Sequence, residues 1–174
     1  MKTNILSLAF VEIASSVFTG VVILWITFHL LKWFRIRYVG LDEKANLAFN
    51  VFMATVLFSV GLSVSSVIQP LVSYFRLASA STDSSWGLTL SFIGYGGLYV
   101  GIAYLSSLAI TFIGILLYEY LTPLKEFREI KENNVGVAVV LGTIVIVLNL
   151  ISRSGVALLI ESLIPYPDLP PTGF

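Results

Sequence analysis

Few side chains in this sequence can carry acid–base, redox or coordination chemistry, and those few sit among apolar neighbours. The chain has one histidine and no cysteine. Disulfides and thiolate chemistry are therefore excluded, and a structural zinc site lacks its usual donors. His29 and Glu119 stand at similar distances before Asn46 and Asn134. Because His titrates near physiological pH, the two would suit a proton-linked pair; the plainer reading is that both mark a membrane interface. Glu12 and Arg153 each interrupt a long apolar run. A charge inside a membrane helix costs roughly 2.5–3.5 kcal/mol on insertion scales. Pairing Glu12 with Arg153 would offset that cost, and Asn149, four residues before Arg153, would share its helix face. Thr55, Ser59, Ser63 and Ser66 succeed one another at steps of four, four and three. Those steps place four hydroxyls on one helix face. Such a stripe either lines a narrow polar path or bonds its own helix carbonyls.

Covalent catalysis has no constellation to work with. A nucleophilic Ser or Thr needs an adjacent base and a group that orients it. The sole histidine lies near one end of the first apolar run, whereas the Ser-rich segment "ASASTDSS" (78–85) lies between the second and third. No HExxH and no phosphate loop occurs, and the glycines of "GYGG" (94–97) come after no strand. The expectation is a non-enzymatic protein without metal or cofactor.

The elements that must position these residues are apolar. Charged residues make up 11% of the chain and hydrophobic ones 57%. Soluble domains carry roughly 25% charge, so this chain lacks the polar surface to cover a soluble globule. Its formal net charge of zero offers no basic face to a nucleic acid. Four apolar stretches, at about 5–31, 47–69, 88–118 and 135–164, each reach the roughly 20 residues needed to span a bilayer. The first is too long for the core of a signal peptide and is read as a retained helix. Lys32, Arg35, Arg37 and Lys44 fall in the first connecting segment, and Lys125, Arg128 and Lys131 in the third. With seven of the ten basic residues there, the positive-inside rule puts these two segments in the cytoplasm and both termini outside.

Local signals divide the chain further. Pro70 should kink or end the second helix, so that "LVSYFRLASA" (71–80) runs along the outer surface. Thr122 and Pro123 can open a short helix in which Leu124, Phe127 and Ile130 recur every three residues, an amphipathic connector on the inner face. Trp33, Phe34 and Tyr38 suit an aromatic anchor at headgroup level. Proline-rich "PYPDLPPTGF" (165–174) is an extended tail. The expected units are a first transmembrane hairpin (1–75), an extracytoplasmic loop (76–87), a second hairpin (88–164) and the tail (165–174). Small residues predict where helices meet: Gly97 and Gly101 on the third, Ala138 and Gly142 on the fourth.

Shifting the second half back by 88 residues lays "NVGVAVVLGTIVIV" (134–147) over "NLAFNVFMATVLFS" (46–59). Asn134 falls on Asn46, Gly142 on Ala54 and Thr143 on Thr55. Each half reads as helix, basic segment, an Asn that caps the entry, and a helix with small residues along one side. Two helices per half give both halves the same orientation, a parallel repeat about an axis along the membrane normal.

The stretch "LTPLKEFREIKENNVGVAVVLGT" (121–143), within residues 105–151, resembles the bacterial YjfL-type inner-membrane family, the domain of unknown function 350. Residues 18–66 resemble it more weakly. Where that family carries a glycine before the entry asparagine, this chain has Asn133. The resemblance implies two two-helix units in the bacterial inner membrane and a place near envelope-stress proteins; it brings no activity to particular residues.

The expected fold is thus all-α, a polytopic membrane protein of four transmembrane helices in two tandem parallel-repeat hairpins. The expected function is a homo-oligomeric inner-membrane scaffold or envelope-maintenance component, embedded in the lipid bilayer, with segments 32–44 and 123–133 open to a cytoplasmic protein partner. The alternative is an oligomeric small-solute or ion channel whose path runs past Glu12, Asn149, Arg153 and the hydroxyls of the second helix.

Overall fold

The computed structural model of the chain describes the backbone of residues 2–41, 46–81, 85–122 and 126–163, and the side chains of 13–37, 39–41, 46–68, 70–73, 94–122 and 127–163. The chain forms α1 (Lys2–Phe34), a π-turn (Arg35–Val39), α2 (Leu47–Ser81), α3 (Ser85–Leu121), the short α4 (Glu126–Lys131) and α5 (Val135–Leu163). Four segments are long and apolar enough to cross a membrane: Ile13–Arg37, which runs from α1 into the π-turn, Leu47–Ser73 in α2, Gly94–Leu121 in α3 and Val135–Leu163 in α5. The protein is an all-α membrane protein with four spans.

The core is apolar, built on residues such as Phe49, Phe52, Val60 and Leu141, but the outer surface is apolar too, unlike that of a water-soluble bundle. Large apolar side chains such as Phe18, Trp25, Phe112 and Ile151 face outward, while Thr27, Ser59, Ser63, Ser107, Thr111 and Asn149 are buried. In hydrocarbon this is the favourable order. Lipid gives apolar side chains no reason to bury, and polar groups must find partners within the protein.

The centre is the pair α2 and α5, which share the most extensive contact. They cross where Gly142 meets Thr55: a Cβ built on Gly142 would lie 2.6 Å from the Thr55 hydroxyl oxygen and 2.9 Å from its Cβ. α3 packs against both α2 and α5, whereas α1 packs chiefly along α2. On α3 the buried face is Ala103, Ser107, Thr111 and Gly114. A Cβ on Gly114 would come within 3.2 Å of Leu148.

Three local expectations are revised. α2 does not end at Pro70 but continues to Ser81, as proline is tolerated within membrane helices where neighbours support the backbone. Helix therefore also covers 76–81 and 85–87 of the segment expected to be an outer loop. α4 does not merely rest on the membrane face. Ile130 is fully buried, and the Phe127 ring packs edge-on against Phe34 at 5.3 Å and Phe52 at 6.0 Å, docking α4 onto the base of the bundle. The Thr122 hydroxyl donates to the Tyr118 carbonyl, one turn back in α3. Pro123, Leu124, the Tyr38 side chain and the tail 165–174 lie outside the described residues.

Candidate functional site

Two polar clusters join the helices, one inside the bundle and one at its basic end. Asn149 is fully buried on α5. Its Oδ1 accepts from the Ser63 hydroxyl of α2 at 3.0 Å and from the Ser107 hydroxyl of α3 at 2.6 Å. Its Nδ2 donates to Thr111 Oγ1 on α3 at 3.2 Å and to the Val145 carbonyl at 3.0 Å. An amide side chain has two acceptor positions and two donor hydrogens, so its capacity is filled. One residue thereby fastens three helices together at a depth where water offers no replacement bonds.

The rest of the hydroxyl stripe is engaged along its own helix. Thr55 donates to the Phe52 carbonyl at 2.7 Å, Ser59 to Thr55 at 2.9 Å and Ser66 to Ser63 at 2.7 Å. Of the four stripe residues, only Ser63 reaches Asn149.

At the basic end three asparagines knit α2, α4 and α5. Asn46 Oδ1 accepts the Phe49 N–H at 2.7 Å, and Asn134 Oδ1 accepts the Val137 N–H at 3.3 Å. Each cap reaches three residues ahead, so the two helix entries have the same geometry. Asn46 also donates to the carbonyls of Ile130 and Lys131 at the end of α4, at 2.9 and 3.2 Å. In return, Asn133 Oδ1 accepts the Ala48 N–H in the first turn of α2 at 3.0 Å. Among the described residues, Asn133 is the non-glycine residue with positive φ, 66°. Asparagine and glycine tolerate that region best, which suits an asparagine to this turn. Asn134 Nδ2 donates to Glu129 at 2.9 Å, closing the cluster.

Among the described residues, the ionisable candidates His29, Glu119 and Arg153 form no ion pair with one another. Arg153 is exposed although Asn149, one turn earlier, is buried, so the two do not share an environment. The Glu12 side chain lies outside the described residues. His29 is exposed, its Nδ1 2.9 Å from the Trp25 carbonyl and its ring 4.4 Å from that of Trp25. Glu119 is exposed at the end of α3, and among the described residues no ion pair links it to His29. No group of three metal-ligating side chains occurs among the described residues.

Spacing predicts Gly97 and Gly101 at a helix contact, and the geometry differs. A Cβ on either would meet nothing within 4 Å. At 3.6 residues per turn, Gly101 and Ala103 lie about 200° apart, so the buried face of α3 is the one opposite these glycines. Ala138 is fully buried and Gly142 abuts Thr55. Ser107, Thr111 and Gly114 do not stand out in the sequence; their signal is the recurrence of small residues from Ala103 at steps of four, four and three.

Neither the curated proteins nor the solved structures contain a match to this chain. Residues 95–164, from α3 through α5, match the model of the family described as Domain of Unknown Function (DUF350). That match covers Ser107, Thr111, the α4 docking segment, Asn134 and Asn149, so over these residues the chain is similar to the DUF350 family.

Proposed function

We propose that the protein is a non-enzymatic scaffold of the bacterial inner membrane, assembled as a homo-oligomer and serving envelope maintenance. Both termini lie on the extracytoplasmic side, and segments 32–44 and 123–133 face a cytoplasmic protein partner. The observation that carries this reading is the saturated Asn149 hub. A conducting path needs polar groups that can exchange their partners with a passing ion or solute. Here the buried amide and the stripe hydroxyls hold helices together or bond their own backbone. The basic end supports a surface for partners: Lys32, Arg37, Arg128 and Lys131 are exposed on a base made firm by the three asparagines.

Two measurements on purified protein test the proposal. Proteoliposomes should show no flux of protons, potassium or chloride above empty vesicles, and the particle mass in nanodiscs should be a multiple of one chain. Flux abolished by Asn149→Leu in an intact assembly would replace the scaffold by a channel. A monomer would remove the oligomer.

A further inference from the structure

α1 stands away from α3, and a cleft of about 490 Å³ opens between them with α2 as its floor. That volume falls within the roughly 300–1,000 Å³ of small-molecule sites. Ser16, Thr19 and Ile23 line it from α1, and Gly97, Gly101 and Tyr104 from α3. The two glycines give the cleft its depth, since neither backs onto another helix. At one end Thr27 Oγ1 approaches the Tyr104 hydroxyl to 3.4 Å and narrows the space. The lining runs along α1 from Ser15 to Ile26. At 1.5 Å per residue that is ~17 Å, close to half of a ~30 Å hydrocarbon core. The cleft therefore spans one leaflet, the one opposite the basic segments.

We propose that this cleft holds one acyl chain of a phospholipid from that leaflet. Its dimensions select the occupant. The 490 Å³ open to the centre of a water-sized sphere, spread over ~17 Å, is roughly 6 Å across, so the walls of this open groove stand roughly 9 Å apart. A helix from a second copy, ~10–12 Å wide with its side chains, exceeds that gap and would have to part the walls. Water is poorly suited as well, because apolar walls give it too few hydrogen bonds and such cavities stay dry. A hydrocarbon chain fits the width, matches the apolar walls and restores the dispersion contacts that an empty cleft forgoes. The hydroxyls of Ser16 and Thr19 sit on the α1 wall, within reach of the ester groups of a lipid so seated.

The test uses the full chain purified in detergent and titrated with 1-palmitoyl-2-oleoyl phosphatidylglycerol. Native mass spectrometry should find one tightly retained lipid per chain. Gly101→Leu fills the cleft without meeting a neighbour at its Cβ and should lower that retention at least tenfold, whereas Phe112→Ala on the outer surface should leave it unchanged. A phospholipid with a photoreactive group midway along one chain, applied to the wild-type chain, should label residues 16–26 and 97–104 above all others; this readout needs no variant to fold. Equal retention by wild type and Gly101→Leu, or labelling spread evenly over the outer surface, would overturn the proposal. So would a two-chain particle without lipid that Gly101→Leu splits, because a second copy would then fill the cleft.

Discussion

Removing the Asn149 side chain with Asn149→Ala should cut three bonds between helices, those to Ser63, Ser107 and Thr111. Interhelical hydrogen bonds in membranes average about 0.6 kcal/mol and reach about 1.7. Three of them give roughly 2 kcal/mol at the average and ~5 at the maximum. The stranded hydroxyls can turn to carbonyls of their own helices, which holds the loss near the lower figure. A loss of ~2 kcal/mol is roughly a thirtyfold shift in the unfolding equilibrium, at about 1.36 kcal/mol per tenfold. Steric trapping in bilayers, or reversible unfolding by dodecyl sulfate in mixed micelles, measures it. Double-mutant cycles pairing Asn149→Ala with Ser107→Ala and with Ser63→Ala should each show positive coupling, larger for the shorter bond to Ser107. A loss under ~0.6 kcal/mol, or zero coupling in both cycles, would refute the hub as the fastening between α2, α3 and α5.

The crossing of α2 and α5 makes a sharper steric prediction. Gly142→Ala should cost about 1–3 kcal/mol, and Thr55→Gly should rescue it where Thr55→Ala does not, because the new methyl would lie 2.9 Å from the Thr55 Cβ itself. At position 133 stability should fall in the order Asn, Gly, Ala: Asn133→Gly loses only the bond to Ala48, about 1 kcal/mol, whereas Asn133→Ala adds a left-handed strain of about 1–2 more. Thermal unfolding in one detergent ranks the three. Glu132→Gln should be nearly silent in the same assay, within ~0.5 kcal/mol, since its partner Arg128 lies one turn away on an exposed surface. For orientation, the chain has no cysteine of its own, so single cysteines at 37 and 132 should react with an impermeant maleimide only from the cytoplasmic side.

Composition and the borders between polar and apolar chain carry the legible part of this fold. The four spans show because apolar runs of that length have no place in water. Asn46 and Asn134 show because a capping residue stands where polar chain turns apolar. Asn149 is visible as a polar group at depth, but its partners are not. Ser107 and Thr111 belong to another helix, and only the rotation of α3 brings them to it. Spacing gives that rotation the wrong way round. Gly97 and Gly101 form a familiar packing pattern, yet a glycine removes a side chain whether a neighbour comes close or a space is left. Spacing cannot separate these outcomes; the opposite face, Ala103 to Gly114, has residues almost as small. Likewise the run "ASASTDSS" reads as a loop by propensity, although α2 and α3 carry helix into it from both sides.

The exchange of asparagines at the basic end has a consequence for synthesis. The first turn of α2 needs the Asn133 amide for the Ala48 N–H, and the end of α4 needs Asn46, contacts made across about 85 residues of chain. At roughly 5–20 residues per second, a ribosome takes about 4–17 s to supply the later partner. During that interval α1 and α2 have neither the Asn133 partner for the Ala48 N–H nor α5 against the Thr55 face. Water at the membrane face can meanwhile hold the open N–H, as it does at other helix ends. Completion of the chain then supplies both bonds together, because Asn133 and the end of α4 are adjacent in sequence.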